Sequence, residues 1–260
     1  MENYSNLLPM VPLRGLVIFP SMVANFEAIR DFSVSALEQA MKADRSVFLV
    51  MQKDMSNNTI DRNNLYEIGV IAKIRYILRL QKGLVRVMVE GIRRARLVNI
   101  EFNGNYYISE VTDYGTGIED SQKADAYMRS IIEAIDVYAA VSDRINPDFA
   151  FSIRNIKSLD RMIDTCAVNI IDIIDQKQEI LGTESLEERA EKMIRFIDTE
   201  TQIFMIEKDI NTNLLEAIDE ASANFVGGYP DWMKLSWFSN ALGNKGGVCT
   251  ATIECQNNCN

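Results

Sequence analysis

A chain of 260 residues, 47% hydrophobic and 25% charged, has enough apolar material for a buried core in one large domain or two modest ones. Its formal net charge of -10 argues against general nucleic-acid binding, which needs a basic face. The chain has no histidine, which excludes Ser-His and Cys-His catalysis, Cys2His2 zinc sites and the usual neutral-pH proton shuttle.

Met1-Glu2-Asn3-Tyr4-Ser5 lacks the basic-then-apolar pattern of a secretory signal, and no apolar run is long enough to span a bilayer. The expectation is a chain made and folded in the cytoplasm, where thiols stay reduced. The first hundred or so residues are β-rich. Short β-branched or alternating runs occur at Val17–Phe19, Ser46–Met51, Ile68–Ile74 and Leu84–Glu90, punctuated by Pro9, Pro12, Pro20, Gly83, Gly91 and the Asn103-Gly104-Asn105 turn. One helix interrupts them at Ser33–Met41. From about Ser121 the period becomes helical, with further runs around Ile163–Ile174 and Arg189–Ile206, and Ser185 to Glu188 fits a capping box.

After Asp209 the pattern weakens to a short acidic amphipathic stretch, Leu214–Ala221, followed by Gly227-Gly228 and a glycine-rich tail. The fold class expected is α+β: a β-rich lobe over residues 1–120, a helical bundle over 121–210, a leader-like segment over 211–228, and a mostly irregular peptide over 229–260. Three of the four cysteines, Cys249, Cys255 and Cys259, fall in the last twelve residues. Ser239, Thr250 and Thr252 lie upstream of them. Hydroxyl first and thiol after is the order that thioether cyclisation needs, because dehydrated Ser or Thr is an alkene that a later thiolate can attack. Three duller readings stay open for these cysteines: a zinc site, though the spacing lacks a CxxC knuckle; disulfides, though one thiol is left over; and incidental thiols. No catalytic, cofactor-binding or metal-binding set is expected elsewhere.

The run Leu8-Pro9-Met10-Val11-Pro12-Leu13-Arg14-Gly15-Leu16-Val17-Ile18-Phe19-Pro20 closely resembles the opening of the substrate-binding domain of Lon proteases. Similarity continues through Glu67–Ile74, Val89–Leu97 and Asp172–Leu181, covering roughly residues 7 to 210. The resemblance implies a β lobe and a helical bundle that recognise unfolded protein clients and contact other Lon subunits. A phosphate-binding loop is absent, since Gly243-Asn244-Lys245-Gly246-Gly247 has neither its spacing nor its hydroxyl, so the expectation is a recognition lobe without enzyme activity.

The tail resembles the α-peptides of two-component, mersacidin-like lantibiotics in Leu242–Gly246, in the segment Cys249-Thr250-Ala251-Thr252-Ile253-Glu254-Cys255 and in Cys259-Asn260. Carried over residue by residue, that resemblance implies rings joining Ser239 to Cys249, Thr250 to Cys255 and Thr252 to Cys259. It implies lipid II as target, with Glu254 at the position of the family's required glutamate. It also implies a class II lanthionine synthetase, a double-glycine peptidase and ABC exporter acting at Gly227 and Gly228, and a β-peptide partner. The precursor would be cytoplasmic and the processed core secreted. The alternative is a truncated, non-catalytic Lon-type module with an incidental or engineered tail.

Overall fold

The computed structural model describes residues 6–227, apart from 119 and 143. Six strands come first: β1 (Asn6–Leu13), β2 (Val23–Ala28), β3 (Ser46–Met51), β4 (Ile68–Arg79), β5 (Val85–Phe102) and β6 (Tyr107–Asp113). Helix α1 (Asp31–Lys42) lies between β2 and β3. Five helices follow: α2 (Ser121–Val141), α3 (Pro147–Ile153), α4 (Leu159–Asn169), α5 (Ile174–Gly182) and α6 (Leu186–Gly227). Residues up to Met205 form one compact unit, and the described part of α6 from Ile206 belongs to another.

The sheet runs β2-β5-β4-β3-β1-β6, and the long β5 also pairs with β6, so five strands close on themselves while β2 rides on the first half of β5. Only β1 and β3 are parallel, in register from Met10↔Phe48 to Leu13↔Met51. Alternation along the strands feeds two cores. Met10, Phe48, Val50, Ile71, Leu97 and Val111 fill one. Val11, Val47, Leu49, Val70 and Ala72 face the other, which continues through Ile131, Ile163 and Ile197 of the helices. Every residue of β3 is buried, which explains its unbroken apolar run.

Several local signals act as their chemistry dictates. The Asp120 carboxylate caps α2, accepting from Gln122 N at 2.8 Å, and Asn146 caps α3. Ser185 Oγ accepts from Glu188 N at 3.4 Å, while the Glu188 carboxylate pairs with Lys192 at 3.2 Å. Among these contacts, one arm of the capping box is made and Glu188 serves an i,i+4 ion pair.

Four expectations need correction. Val17–Phe19 is not a strand: it is buried coil crossing Gly91, and the strand lies earlier, at Asn6–Leu13. β2 and β6 were not anticipated; β2 exposes three of its six residues, and β6 reads clearly only once hairpinned to β5. The helical run around Ile163–Ile174 is two helices, with Ile170 and Ile171 buried in the turn between them. Helical structure does not fade after Asp209 but runs to Gly227, carrying exposed Ile206, Ile210, Leu214 and Ile218 at four-residue spacing. No helix among the described residues is long and apolar enough to cross a membrane.

Candidate functional site

The seam between sheet and helices is built around the end of α5. The last carbonyls of a helix have no partner within it. Here they meet side-chain donors from three directions. Arg94 of β5 donates to Thr183 O at 2.6 Å and Leu181 O at 3.2 Å, Tyr114 to Gly182 O at 2.7 Å, and Arg189 Nε to Ile180 O at 3.1 Å. The Arg189 guanidinium also pairs with Asp160 and Asp164 of α4. Its side chain is 0% exposed and that of Asp164 is 3% exposed. Gln178 completes the seam by donating to Ile68 O at 3.0 Å.

Burial pushes the Asp164 carboxyl up to about 6, with the Arg189 charge pulling against it. Burial and the like charge of Arg189 push the Arg94 guanidinium down. The folded Asp164 value lies above its ordinary 3.8, so between the two the native state holds more protons than the unfolded chain. This group's contribution is therefore fully present below about pH 4 and lost as pH rises to about 6, an effect of about 3 kcal/mol. Thermal melts from pH 4 to 7 should show this fall in the parent and not in Asp164→Asn; equal slopes would remove Asp164 as its source. The seam spends these polar groups largely on one another, which ties the sheet to the helices.

An open site lies beside β1 and β2. β2 pairs only with β5, so its outer edge is free, while β1 beyond Met10 pairs only with β3 and its outward Pro12 carbonyl is taken by Arg30. A cavity of about 210 Å³ opens between them, lined in part by Val11, Leu13, Phe26, Ile29, Arg30 and Ser33. Arg14 and Arg30 both donate to Gln52 Oε1, at 3.1 and 2.8 Å. Arg30 also donates to Pro12 O, and Arg14 to Asn57 O at 2.9 Å and Asn58 Oδ1 at 2.8 Å. Burial, then the neighbouring Arg14 charge, lowers the Arg30 pKa. The cavity is smaller than the roughly 300 Å³ at which small-molecule sites begin. Among the described residues no group of His, Cys, Asp and Glu is arranged to hold a metal.

Of the residues singled out in the sequence, Gly227 ends α6. Gly228, Ser239, Cys249, Thr250, Thr252, Glu254, Cys255 and Cys259 lie outside the described residues. Sequence reasoning missed Arg30, Ser33, Arg94 and Arg189 as site-forming groups. Arg14 sits inside the quoted opening motif, but Arg30 and Arg189 carry no local signal, since their partners are 9 to 29 residues away.

The family model of the ATP-dependent protease La (LON) substrate-binding domain matches residues 7–199. The chain belongs to the Lon substrate-binding domain family. Among similar Lon proteases, that of Desulforamulus reducens is 31% identical, over 86% of this chain and 28% of its own length. The Clostridioides difficile Lon protease is 32% identical over 86% of this chain and 30% of its own, and Lon protease 1 of Bacillus subtilis 30% identical over 86% and 29%. The chain thus spans less than a third of these relatives, and what it shares is the Lon substrate-binding part, not the ATPase or protease. A span of 86% cannot end at residue 210, so the Lon similarity runs on into the later part of α6. The N-terminal domain of a Mycobacterium avium complex Lon protease has the same fold, with a TM-score of 0.62 at 19% identity over 74% of this chain and 98% of that one. A separate family model, lantibiotic alpha, matches residues 233–260.

Proposed function

We propose that this chain joins a non-catalytic Lon-type polypeptide-binding domain to the precursor of a class II lanthipeptide. The observation that carries the reading is the pair of family matches, to residues 7–199 and 233–260, which fall one after the other without overlap. The order of hydroxyls and thiols in the second stretch supports it. In this reading residues 211–228 serve as leader, cleavage follows Gly228, and residues 229–260 are the core. Loss of water from Ser239, Thr250 and Thr252 leaves a Cα=Cβ bond; the thiolates of Cys249, Cys255 and Cys259 add at Cβ, and a proton returns to Cα. Such rings remove loop entropy from a peptide too short for a hydrophobic core and fix its N–H groups for a pyrophosphate such as that of lipid II. Glu254 belongs to that recognition surface. The partners are then a lanthionine synthetase, a double-glycine peptidase and exporter, and a β peptide, with the precursor cytoplasmic and the core secreted.

The domain prepares a clean test. Cys166 is 0% exposed, and burial drives its thiol far above the usual range. Alkylation of the native, unmodified chain should therefore leave Cys166 untouched, and denaturant should release it. After co-expression with a class II synthetase, mass spectrometry should find three or four waters lost from the tail's four Ser and Thr residues and no tail thiol left to alkylate. Retention of every water with three alkylatable tail cysteines would overturn the precursor reading. It would favour a Lon-type recognition module with an idle tail, which the Lon similarity along α6 already supports in part.

A further inference from the structure

We propose that the groove between the free edge of β2 and the end of β1 seats an extended polypeptide segment bearing carboxylates; this rests on the reading of the domain as a polypeptide binder. Three observations converge on an anionic strand. The first is charge. The chain carries ten more acidic than basic groups, yet Arg14 and Arg30 share one neutral acceptor, Gln52 Oε1, and among the described residues neither has a carboxylate within ion-pairing distance. Asp54 feels Arg14 only through space. Glu27, the one acid in the lining, is already held by Arg86 at 2.6 Å. Two guanidiniums held on neutral acceptors keep donors suited to a carboxylate, which binds a planar fork in bidentate fashion.

The second observation is a vacant hydroxyl. Ser33 lines the same cavity at 2% exposure, and its Oγ has no hydrogen-bond partner. A buried polar group without a partner costs about 1–3 kcal/mol, a penalty that a ligand's oxygen would relieve. The third is backbone. Alternate residues of the six-residue β2 turn N–H and C=O away from β5, which lets an added strand pair by main-chain hydrogen bonds. Apolar side chains alternating with acids would then meet Val11, Leu13 and Phe26 on one side and the arginines on the other.

The test uses the full chain and two labelled peptides, one alternating valine with glutamate and one alternating valine with glutamine, read by fluorescence anisotropy. The glutamate peptide should bind about tenfold tighter, and the preference should shrink as salt is raised. Arg30→Gln should lose about tenfold for that peptide. Ser33→Ala should lose about threefold while melting no lower than the parent, an outcome that a purely structural serine would not give. Ile29→Asp, at a lip residue 66% exposed, should repel the glutamate peptide without touching the fold. Equal binding of the two peptides, or full binding by Ser33→Ala and Ile29→Asp, would overturn the proposal. Reduced, carboxamidomethylated lactalbumin separates the two levels. If it binds and the glutamate peptide does not, the groove assignment falls and the polypeptide-binding reading stands; if neither binds, both fall.

Discussion

Replacing Arg189 by alanine should destabilise the domain by about 3–5 kcal/mol at pH 7, read from urea melts. The change strands three groups at once: the Asp164 carboxylate, half of the Asp160 pairing, and the Ile180 carbonyl at the end of α5. Asp164 is deeply buried and already inclined to take a proton, so at pH 5 it escapes the penalty by neutralising. The loss should therefore shrink as pH falls below about 6. Arg189→Lys should rescue little, because a single ammonium cannot reach two carboxylates and a carbonyl at the angles a planar fork provides. A loss under 1 kcal/mol, or one that ignores pH, would mean that the seam does not rest on this guanidinium.

Gly91→Ala should be nearly as damaging, at about 3 kcal/mol, although it adds one methyl group. A Cβ there would sit 2.1 Å from Phe19 O and 2.9 Å from Phe19 C. Those are backbone atoms and cannot swing aside. The same stretch is fastened to Gly91 by Ser21 N donating to Gly91 O at 2.8 Å and by Gly91 N donating to Met22 O at 2.9 Å. Pushing the chain away would loosen β2, so peptide affinity at the groove should fall with stability. Gly117→Ala is the control, since nothing lies within 4 Å of its added atom. Equal melting of both variants would contradict the packing argument.

What the sequence made legible was what its local patterns carry. The unbroken run Ser46–Met51, the switch to helix at Ser121 and the Ser185 cap all depend on neighbours within a turn or a strand, and each stands where it was read. The Lon-like opening gave the family but not its geometry. Val17–Phe19 has a strand's composition, yet its buried residues pack from a coil because Gly91 lets that coil approach. β6 depends on pairing with Asn6–Met10, about a hundred residues earlier, and with β5 on its other side. Arg30, Arg94 and Arg189 look in sequence like ordinary surface charges. Only the tertiary fold brings the first beside Pro12 and Gln52 and the others to the end of α5. Helix continuation past Asp209 was missed because Asn211-Thr212-Asn213 weakens propensity without supplying a breaker.

The closure of the sheet by its first strand also sets a clock on biosynthesis. β1 finds β3 early, but its other edge waits for Ile108–Val111 to be polymerised. At about 5–20 residues per second, that delay is roughly 5–20 s. During it, the half-made sheet exposes Leu8 and Met10, which the finished fold covers, to whatever else is nascent, a hazard that chaperones exist to blunt. Arg189 emerges later still, and with it the helical lobe can lock. The cysteine-bearing stretch is translated after the domain, whose own thiol has by then a place to be buried.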